Sequence, residues 1–587
     1  MNEDQVNDKI QRWRDTPEED LKPEDYQELK NLGSACLSEG KSTLLLKFIQ
    51  DKKNQGIVKS MGCVLLVPLV TELVKKEKSL DCCQTAITNL TRTCRPEELL
   101  QNLLALINNT DPGVISETIT ALFPHLQTVL LQLDEKRAAS VGLALSAVQK
   151  QLSRLPVPYN QQQENDDEYG LCRSCTALAE FAKCFVEKVK RKDVNYVTTP
   201  EEEELRVELL KFCMRSLREP LLDAELNKDR QSVLWHFATK LMVILHAIQE
   251  SLSEILLFNS LRKRTQMDNT ESKESRACLA YILFVQLITI DSFPAVFSPV
   301  FVLQCNMEYI SQLLSSKKES HLLKGLALCA KSLESVPDNS LPVSLLGLKS
   351  FHSVPQNLQQ VLTDCPIQHL RESGLQVFQN FINKLDAEAK HKFFRVMLKT
   401  SNHAGLASYI VKNIKNQVDF SMKVGNTNKW FMGEDFLMLL GLALHLPQGA
   451  ETDLLNNMDR IIESLNLLRY LVIRDKKLRS NKDMWEELCR IKDEYLKMLR
   501  VCIGISRTYY SAELQALRED QKLKAKEARD AARLTTLVEG IRVKKASNMS
   551  TEVQHQVLQC ALVTFDLMES LIVRIEEITE EKFKIPN

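Results

Sequence analysis

Glycine and proline are both scarce in this chain of 587 residues, which contains 17 glycines and 18 prolines. Together they reach only about half of their usual combined share, which is roughly 12%. β-Sandwiches and nucleotide-binding folds need tight turns and glycine-rich loops. This chain has too few glycines and prolines to form many of them. Strand-like alternation of apolar and polar residues is almost absent as well. The composition therefore predicts an all-α protein.

An excess of charge of one sign is also missing, since 76 lysines and arginines oppose 77 aspartates and glutamates. Nucleic-acid binding draws much of its free energy from neutralising phosphates, so this balance argues against a nucleic-acid partner. With 44% hydrophobic and 26% charged residues, the chain has the composition of a soluble folded protein. A disordered chain would lack the apolar area that offsets the entropy cost of ordering.

The sequence shows no secretory signal and no very long apolar run. Residues 1–30 carry ten acids and five bases without an apolar segment. The longest apolar stretches, 278–290 and 293–303, are shorter than the roughly 20 residues of a membrane span. The 16 cysteines are scattered mostly singly through apolar segments, as expected for small buried hydrophobes in a reducing compartment. We therefore expect a cytoplasmic protein with no membrane partner.

Motifs for catalysis or metal binding are weak or incomplete. Residues 40–43 (GKST) resemble the end of a phosphate-binding loop, but Ala35 occupies the position of its first glycine. Cys172, Cys175 and Cys184 supply three possible zinc ligands, whereas a closed zinc site needs four. The ten histidines stand alone, outside any HExxH motif or recognisable triad. We expect no catalytic residues, no metal and no cofactor, and hence no enzyme.

Apolar residues recur at helical spacing along nearly the whole chain. Two amphipathic helices are predicted at 99–107 and 115–133, with a turn at 110–113 (TDPG) between them. Such a pair resembles a HEAT unit, which repeats about every 40–47 residues. Further units are predicted at 362–385 and 321–333, at irregular intervals. The predicted fold class is all-α, with degenerate HEAT/armadillo-like helical repeats that form an elongated α-solenoid.

The predicted domain organisation is one continuous array in two parts. The charged insertion at 262–274 is the expected boundary between N-terminal repeats at 1–260 and C-terminal repeats at 275–587. Helix starts are marked clearly in places. Thr199 is a predicted N-cap, followed by Pro200 and four glutamates that favour the positive end of a helix dipole.

One segment of the C-terminal part combines bases with an aromatic pair. Its notable residues are Lys412, Lys415, Lys423, Lys429, Trp430, Phe431, Arg460, Arg469 and Arg474. Trp and Arg are enriched at binding hot spots, so the segment is a candidate protein-binding surface. The other interpretation is that Trp430 fills the core between repeats and the bases form a solvated face. The residue pattern alone leaves both open.

Longer strings in this segment resemble the vertebrate glomulin family. They are 413–417 (NIKNQ), 428–431 (NKWF), 449–455 (GAETDLL) and 464–473 (SLNLLRYLVI). Earlier and later strings fit the same family in matching order, at 155–159 (LPVPY), 169–172 (YGLC) and 564–567 (TFDL). The resemblance is loosest at 262–274 and 518–533.

This resemblance implies a function that periodicity does not show. Glomulins are HEAT-like helical proteins that bind the RING subunit (ring-box protein) of cullin–RING ubiquitin ligases, and through it a cullin. They cover the RING surface that recruits the ubiquitin-conjugating enzyme (E2), which inhibits ubiquitin transfer without catalysis. The resemblance also implies a link to an immunophilin partner and to vascular development. The remaining alternative is a general helical-repeat scaffold that binds peptide segments of other proteins.

The same resemblance places the RING-binding region at about 400–587. Within or next to the matching strings, we select as candidate RING contacts the residues whose polar tips suit a RING loop: Lys415, Asn416, Lys429, Trp430, Arg460, Asn466, Arg469 and Arg474. Leu467 and Leu471 of the same strings are expected in the core. Charge reversal at Arg460 or Arg469 is expected to weaken RING binding and to leave the fold intact.

Overall fold

A computed structural model gives the structure of the chain. It describes residues 3–75, 80–134, 136–190, 199–226, 231–258, 269–423, 425–426, 428–474, 478–479, 481–534 and 551–583. Contacts divide the chain into two compact units, Met1–Ser335 and Val336–Asn587. The predicted boundary at 262–274 differs from this division. Its residues 262–268 lie outside the described part of the chain, and 269–274 belong to a helix of the first unit.

Within the described ranges, the first unit consists of α-helices with 3₁₀ turns between some of them. Its helices are α1 Glu3–Asp15, α2 Pro23–Ser38, α3 Ser42–Gln50, α4 Gln55–Met61, α5 Leu66–Val74, α6 Leu80–Thr93, α7 Pro96–Asn108, α8 Ile115–Gln132, α9 Arg137–Leu152, α10 Gln161–Asp166, α11 Leu171–Val189, α12 Pro200–Arg218, α13 Val233–Ala247, α14 Leu252–Leu257, α15 Asn269–Phe284, α16 Pro299–Leu314 and α17 Glu319–Glu334.

The second unit is built in the same way. Its helices are α18 Lys349–Asp364, α19 Gln368–Lys384, α20 Ala387–Thr400, α21 Ala404–Ser421, α22 Lys429–Met432, α23 Glu434–Ala443, α24 Met458–Ile473, α25 Lys482–Leu534 and α26 Thr551–Phe583. Two 3₁₀ helices, Val343–Gly347 and Gly449–Glu451, connect some of them.

The predicted all-α class is confirmed. The described residues contain no β-strand, and their one isolated bridge is a parallel one between Leu341 and Leu385. The predicted helical hairpin is present as α7 and α8, which pack against each other. Leu103 of α7 and Ile119 of α8 are fully buried, and this removal of apolar area from water stabilises the packed helices.

Local sequence signals explain where several helices begin. Thr199 caps α12, because its hydroxyl accepts a hydrogen bond from the backbone N–H of Glu202. The carboxylate of Glu202 in turn accepts one from the backbone N–H of Thr199, at 2.9 Å. This reciprocal capping box satisfies two donors that helix geometry would otherwise leave unpaired.

The C-terminal helices of the second unit form two layers. Helices α21, α24 and α26 pack side by side, in that order, as one layer. Helices α20, α23 and α25 pack beneath them, since α20 contacts α21 and α23, and α25 contacts α23 and α26. We call the first group the α21–α24–α26 layer. Its outer face is the side that points away from α20, α23 and α25.

Three helical stretches are long and apolar enough to cross a membrane by length and composition alone. They are Lys52–Val74, Pro112–Gln132 and Glu552–Glu580. This finding corrects the expectation that every apolar stretch is too short for a span. In the first two stretches 56% of the apolar window is buried inside the fold, and in the third only 22%.

Candidate protein-binding surface

Helices α21 and α24 lie side by side and run in the same direction. The hydroxyl of Tyr470 on α24 donates a hydrogen bond to Asp419 Oδ1 on α21, at 2.6 Å. One turn further along each helix, Lys423 lies 3.6 Å from the Asp419 carboxylate and Arg474 acts on it electrostatically. The hydrogen bond from Tyr470 lowers the pKa of Asp419, while burial and this bond together raise the pKa of Tyr470 to about 12. We call this junction the Tyr470–Asp419 seam.

The seam separates two exposed strips of the outer face. Helix α21 exposes Lys412, Asn416, Phe420 and Lys423, which recur every three or four residues. Helix α24 exposes Arg469, Ile473 and Arg474 at its C-terminal end. Phe420 is 45% exposed and Ile473 is 47% exposed, so each strip has an apolar side chain among polar or basic neighbours.

Most of the predicted site residues on α21 and α24 lie on this surface. Asn416, Arg469 and Arg474 are exposed. Lys415 and Asn466 are half-buried, each one helical turn before a residue of the seam. The parallel course of the two helices therefore brings these five residues to one face, although they are about 50 positions apart in sequence.

Lys429 and Trp430 lie in the short helix α22, just past the C-terminal end of α21. Asn428 caps α22 and also donates a hydrogen bond to Ser421 Oγ at 2.9 Å, which ties the segment to α21. The Trp430 ring is half-buried against His391 of α20, with ring centroids 5.4 Å apart. The Lys429 Nζ lies 4.8 Å from the centre of the Trp430 ring. One side of the Trp430 ring therefore packs inward, and the remainder is accessible.

His391 beneath Trp430 is buried. Its Nε2 lies 3.0 Å from the backbone carbonyl oxygen of Asp435, and its Nδ1 has no partner among the described residues. Burial lowers the pKa of His391, because the charged imidazolium would lose its hydration. The ring is therefore a neutral support for Trp430 and for Phe431, which is fully buried beside it.

The structure contradicts the expectation for Arg460. Only 7% of this residue is exposed, and its Nη2 donates a hydrogen bond to the carbonyl of Leu442 at 2.9 Å. Ser464 donates to the next carbonyl, that of Ala443, also at 2.9 Å. These are two of the last carbonyls of α23, which the helix itself cannot satisfy. Arg460 therefore caps α23 from inside the fold, and its guanidinium is not available to a partner.

Four residues of the surface are not among the predicted site residues: Asp419, Phe420, Tyr470 and Ile473. Phe420 and Ile473 resemble core residues in sequence, since an apolar side chain at helical spacing usually faces inward. A helical projection gives a signal for Phe420, because it lies in line with exposed Lys412, Asn416 and Lys423 rather than with Ile410 and Ile414. No sequence signal pairs Tyr470 with Asp419.

The weaker sequence motifs have structural explanations. Gly40 and Lys41 lie in the turn between α2 and α3, and Ser42 and Thr43 begin α3, so the phosphate-loop resemblance corresponds to a helix–turn–helix connection. Cys172 and Cys175 are buried on the inner side of α11. Within the described ranges, no group of three or more His, Cys, Asp or Glu is placed to hold a metal ion.

Comparison with protein families places most of the chain in one group. The family described as an uncharacterised protein family, YAP/Alf4/glomulin, matches residues 5–553. The match therefore includes both compact units and extends over α21 and α24.

Individual relatives agree with that match. Human glomulin is 42% identical over 589 residues, covering 98% of this chain and 97% of its own length. Mouse glomulin is also 42% identical, over 588 residues and with the same coverage. A solved circular tandem repeat protein with a novel repeat topology covers 96% of the chain at 11% identity. Its TM-score of 0.14 is too low for any argument about the fold.

Proposed function

Since the chain belongs to the YAP/Alf4/glomulin family, we propose that it is a non-catalytic regulator of cullin–RING ubiquitin ligases. In this proposal it binds the RING subunit and masks the surface that recruits the E2. Ubiquitin transfer then slows because the charged E2 has no access to the ligase. The inhibitor needs no chemistry of its own.

The observation that carries the proposal is the exposed pair of strips on either side of the Tyr470–Asp419 seam. Each strip combines an exposed apolar side chain, Phe420 or Ile473, with exposed lysine or arginine. Exposed apolar side chains beside arginine have the composition of binding hot spots rather than of ordinary solvated surface. The strips lie in the region where the resemblance to glomulins places the RING contact.

The seam also makes the surface rigid before a partner arrives. Tyr470 and Asp419 are half-buried and hydrogen-bonded, so they hold the two helices in one register. A surface that is ordered in advance loses less conformational entropy on binding. The bases at its edges favour a partner with acidic groups and accelerate the encounter at low salt.

Charge reversal at two exposed arginines tests the assignment of this surface. Arg469→Glu and Arg474→Glu, combined in one variant, are expected to weaken binding of the zinc-loaded RING subunit about tenfold at physiological salt. Both side chains are exposed, but Arg474 also attracts the Asp419 carboxylate of the seam, so the free energy of unfolding by urea is expected to fall by about 1 kcal/mol at most, which leaves the variant folded. Titration calorimetry gives the affinity.

Lys399→Glu is the matched control, because Lys399 is an exposed base at the end of α20 in the other layer. Its affinity for the RING subunit is expected to equal that of the wild type. Equal affinity of the Arg469/Arg474 variant and the wild type would show that this surface does not contact the RING subunit. If the wild-type chain itself does not bind the RING subunit at micromolar concentration, the proposed function is wrong.

One further feature favours the alternative of a peptide-binding scaffold. A cavity of about 330 Å³ lies between the 3₁₀ helix Val343–Gly347, α18 and α20. Its walls include Phe351, Pro355, Phe393 and Val396, so they are largely apolar. If the chain is a scaffold that binds peptides in this cavity, Val396→Asp would abolish capture of partner proteins, whereas charge reversal at Arg469 and Arg474 would not.

A further inference from the structure

A groove opens between α18 and α20 on residues that do not belong to the Tyr470–Asp419 seam. Both helices pack against the 3₁₀ helix Val343–Gly347, and the three elements enclose the cavity of about 330 Å³. This volume lies at the lower end of the roughly 300–1,000 Å³ that is typical of ligand pockets. The cavity therefore has room for a few side chains and not for a large cofactor.

The inner wall of this groove is apolar and its mouth is open. Phe351, Pro355, Phe393 and Met397 line the cavity and are buried. Val396 lines it as well but is 46% exposed. Apolar side chains of a ligand would therefore lose contact with water on entering the cavity, which favours binding.

Bases lie along both edges of the groove. On α20, exposed Lys392 and Lys399 are seven residues apart, which places them on one side of the helix at a spacing of about 10 Å. On α18, exposed Lys349 lies seven residues before Gln356 of the cavity wall and on the same side. The cavity mouth is thus bordered by positive charge on two helices.

Acidic residues are nearly absent from the same elements. Residues 342–363 contain no Asp or Glu. Helix α20 contains one, Glu388, whose carboxylate lies 3.1 Å from Lys392 Nζ. Lys349 and Lys399 form no ion pair with any residue that the structure describes. The groove is therefore complementary to a ligand that is apolar in the middle and negatively charged at its borders.

We propose that this groove binds an acidic amphipathic helix of a partner protein. Its apolar side chains enter the cavity, and its Asp or Glu residues meet the bases on the two edges. The inference rests on the scaffold function proposed for this cavity and does not depend on RING binding, since the two surfaces share no residue.

The distribution of the bases favours a protein segment over a fatty acid or a membrane. Lys392 and Lys399 on one edge and Lys349 on the other suit several carboxylates along a helix, whereas a fatty acid brings only one. A membrane surface is flat, so it does not place apolar groups into a cavity between two helices. Helices that bind in grooves present apolar anchors at positions i, i+4 and i+7, with polar residues beside them.

A synthetic helical peptide tests the inference on the full-length chain. It carries leucine at i and i+4, phenylalanine at i+7 and glutamate on both flanks, and a second peptide has lysine in place of every glutamate. The glutamate peptide is expected to bind with micromolar affinity, and the lysine peptide about tenfold more weakly or not at all. Fluorescence anisotropy of labelled peptides measures both.

Charge reversal on both edges identifies the site. The double variant Lys349→Glu and Lys399→Glu is expected to bind the glutamate peptide about tenfold more weakly than the wild type and to bind the RING subunit equally well. The Arg469/Arg474 variant is the matched control, because it reverses two exposed bases on the other surface. It is expected to bind the glutamate peptide as the wild type does.

A neutral substitution tests the apolar part of the groove. Val396→Gln is expected to weaken binding of the glutamate peptide severalfold, by a similar factor at low and at high salt, since no charge changes. The Lys349/Lys399 variant, in contrast, is expected to lose the salt dependence that the wild type shows. Circular dichroism checks that each variant is folded.

Several outcomes would overturn the inference. It fails if the wild type does not bind the glutamate peptide at about 100 μM, or binds both peptides equally. Equal binding by the Lys349/Lys399 variant and the wild type would place the peptide elsewhere. If vesicles with phosphatidylserine bind in place of the peptide and need Lys349 and Lys399, the bases contact a membrane and the inference is wrong. The RING subunit is titrated separately, so failure of the peptide leaves the regulator function standing.

Discussion

Arg460 shows how one buried residue can imitate a binding residue in sequence. It lies in the same helix as exposed Arg469 and belongs to the same resemblance to glomulins. Its position on the helix differs from that of Arg469, however. Arg460 lies in line with Ser464 and Leu468, which follow at intervals of four residues and are buried, so it belongs to the inner side of α24. The sequence thus contains a signal for its position. The hydrogen bond to the Leu442 carbonyl depends on a neighbouring helix and has no such signal.

Replacement of Arg460 is expected to destabilise the fold rather than the interface alone. Arg460→Glu places a carboxylate next to carbonyl oxygens in a buried site, at a cost of about 3–5 kcal/mol in the free energy of unfolding. Arg469→Glu, on the exposed side of α24, is expected to change that free energy by less than about 0.5 kcal/mol. Urea unfolding monitored by circular dichroism measures both. A stability of Arg460→Glu equal to that of the wild type would show that the guanidinium does not cap α23.

At the scale of elements, helix positions were largely predictable and helix neighbours were not. The hairpin of α7 and α8 and the capped start of α12 follow from apolar spacing and from the Thr199–Glu202 pair. The register of α21 against α24 depends on a hydrogen bond between residues 419 and 470. An apolar residue such as Val396 of α20 looks the same in sequence whether a neighbouring helix covers it or not.

The packing of α20 on α22 makes a prediction about pH. His391 has a lowered pKa in the folded state, so the unfolded chain takes up its proton first as the pH falls. The stability that neutral His391 contributes is therefore complete above its ordinary pKa of about 6.5 and is lost below it. The loss is expected to approach 1.4 kcal/mol per pH unit at most.

The variant His391→Gln isolates this contribution. Glutamine retains a donor for the Asp435 carbonyl but does not titrate. Between pH 7.5 and 5.0, the free energy of unfolding is expected to fall less for His391→Gln than for the wild type. His125 is also buried with a lowered pKa and remains in both proteins, so it cancels from the difference. Parallel pH profiles of the two proteins would show that His391 titrates normally in the fold.

At the scale of the whole molecule, composition predicted the all-α class because scarce glycine and proline leave few alternatives to helix. The division after Ser335 had no comparable signal. The sequence suggested a boundary at the charged insertion 262–274, whereas helix α15 begins inside that insertion and packs on α12 and α16. The near-neutral net charge of the whole chain also gives no sign of the local group of bases beside the Tyr470–Asp419 seam.

The central claim is that the chain masks the E2-recruiting surface of a RING subunit. Its most direct test is ubiquitin transfer by a reconstituted cullin–RING ligase, measured at a fixed concentration of this protein while the E2 concentration is raised. Competition for one surface predicts that the reaction slows at low E2 and that the maximal rate returns at high E2. A maximal rate that stays reduced at saturating E2 would contradict masking.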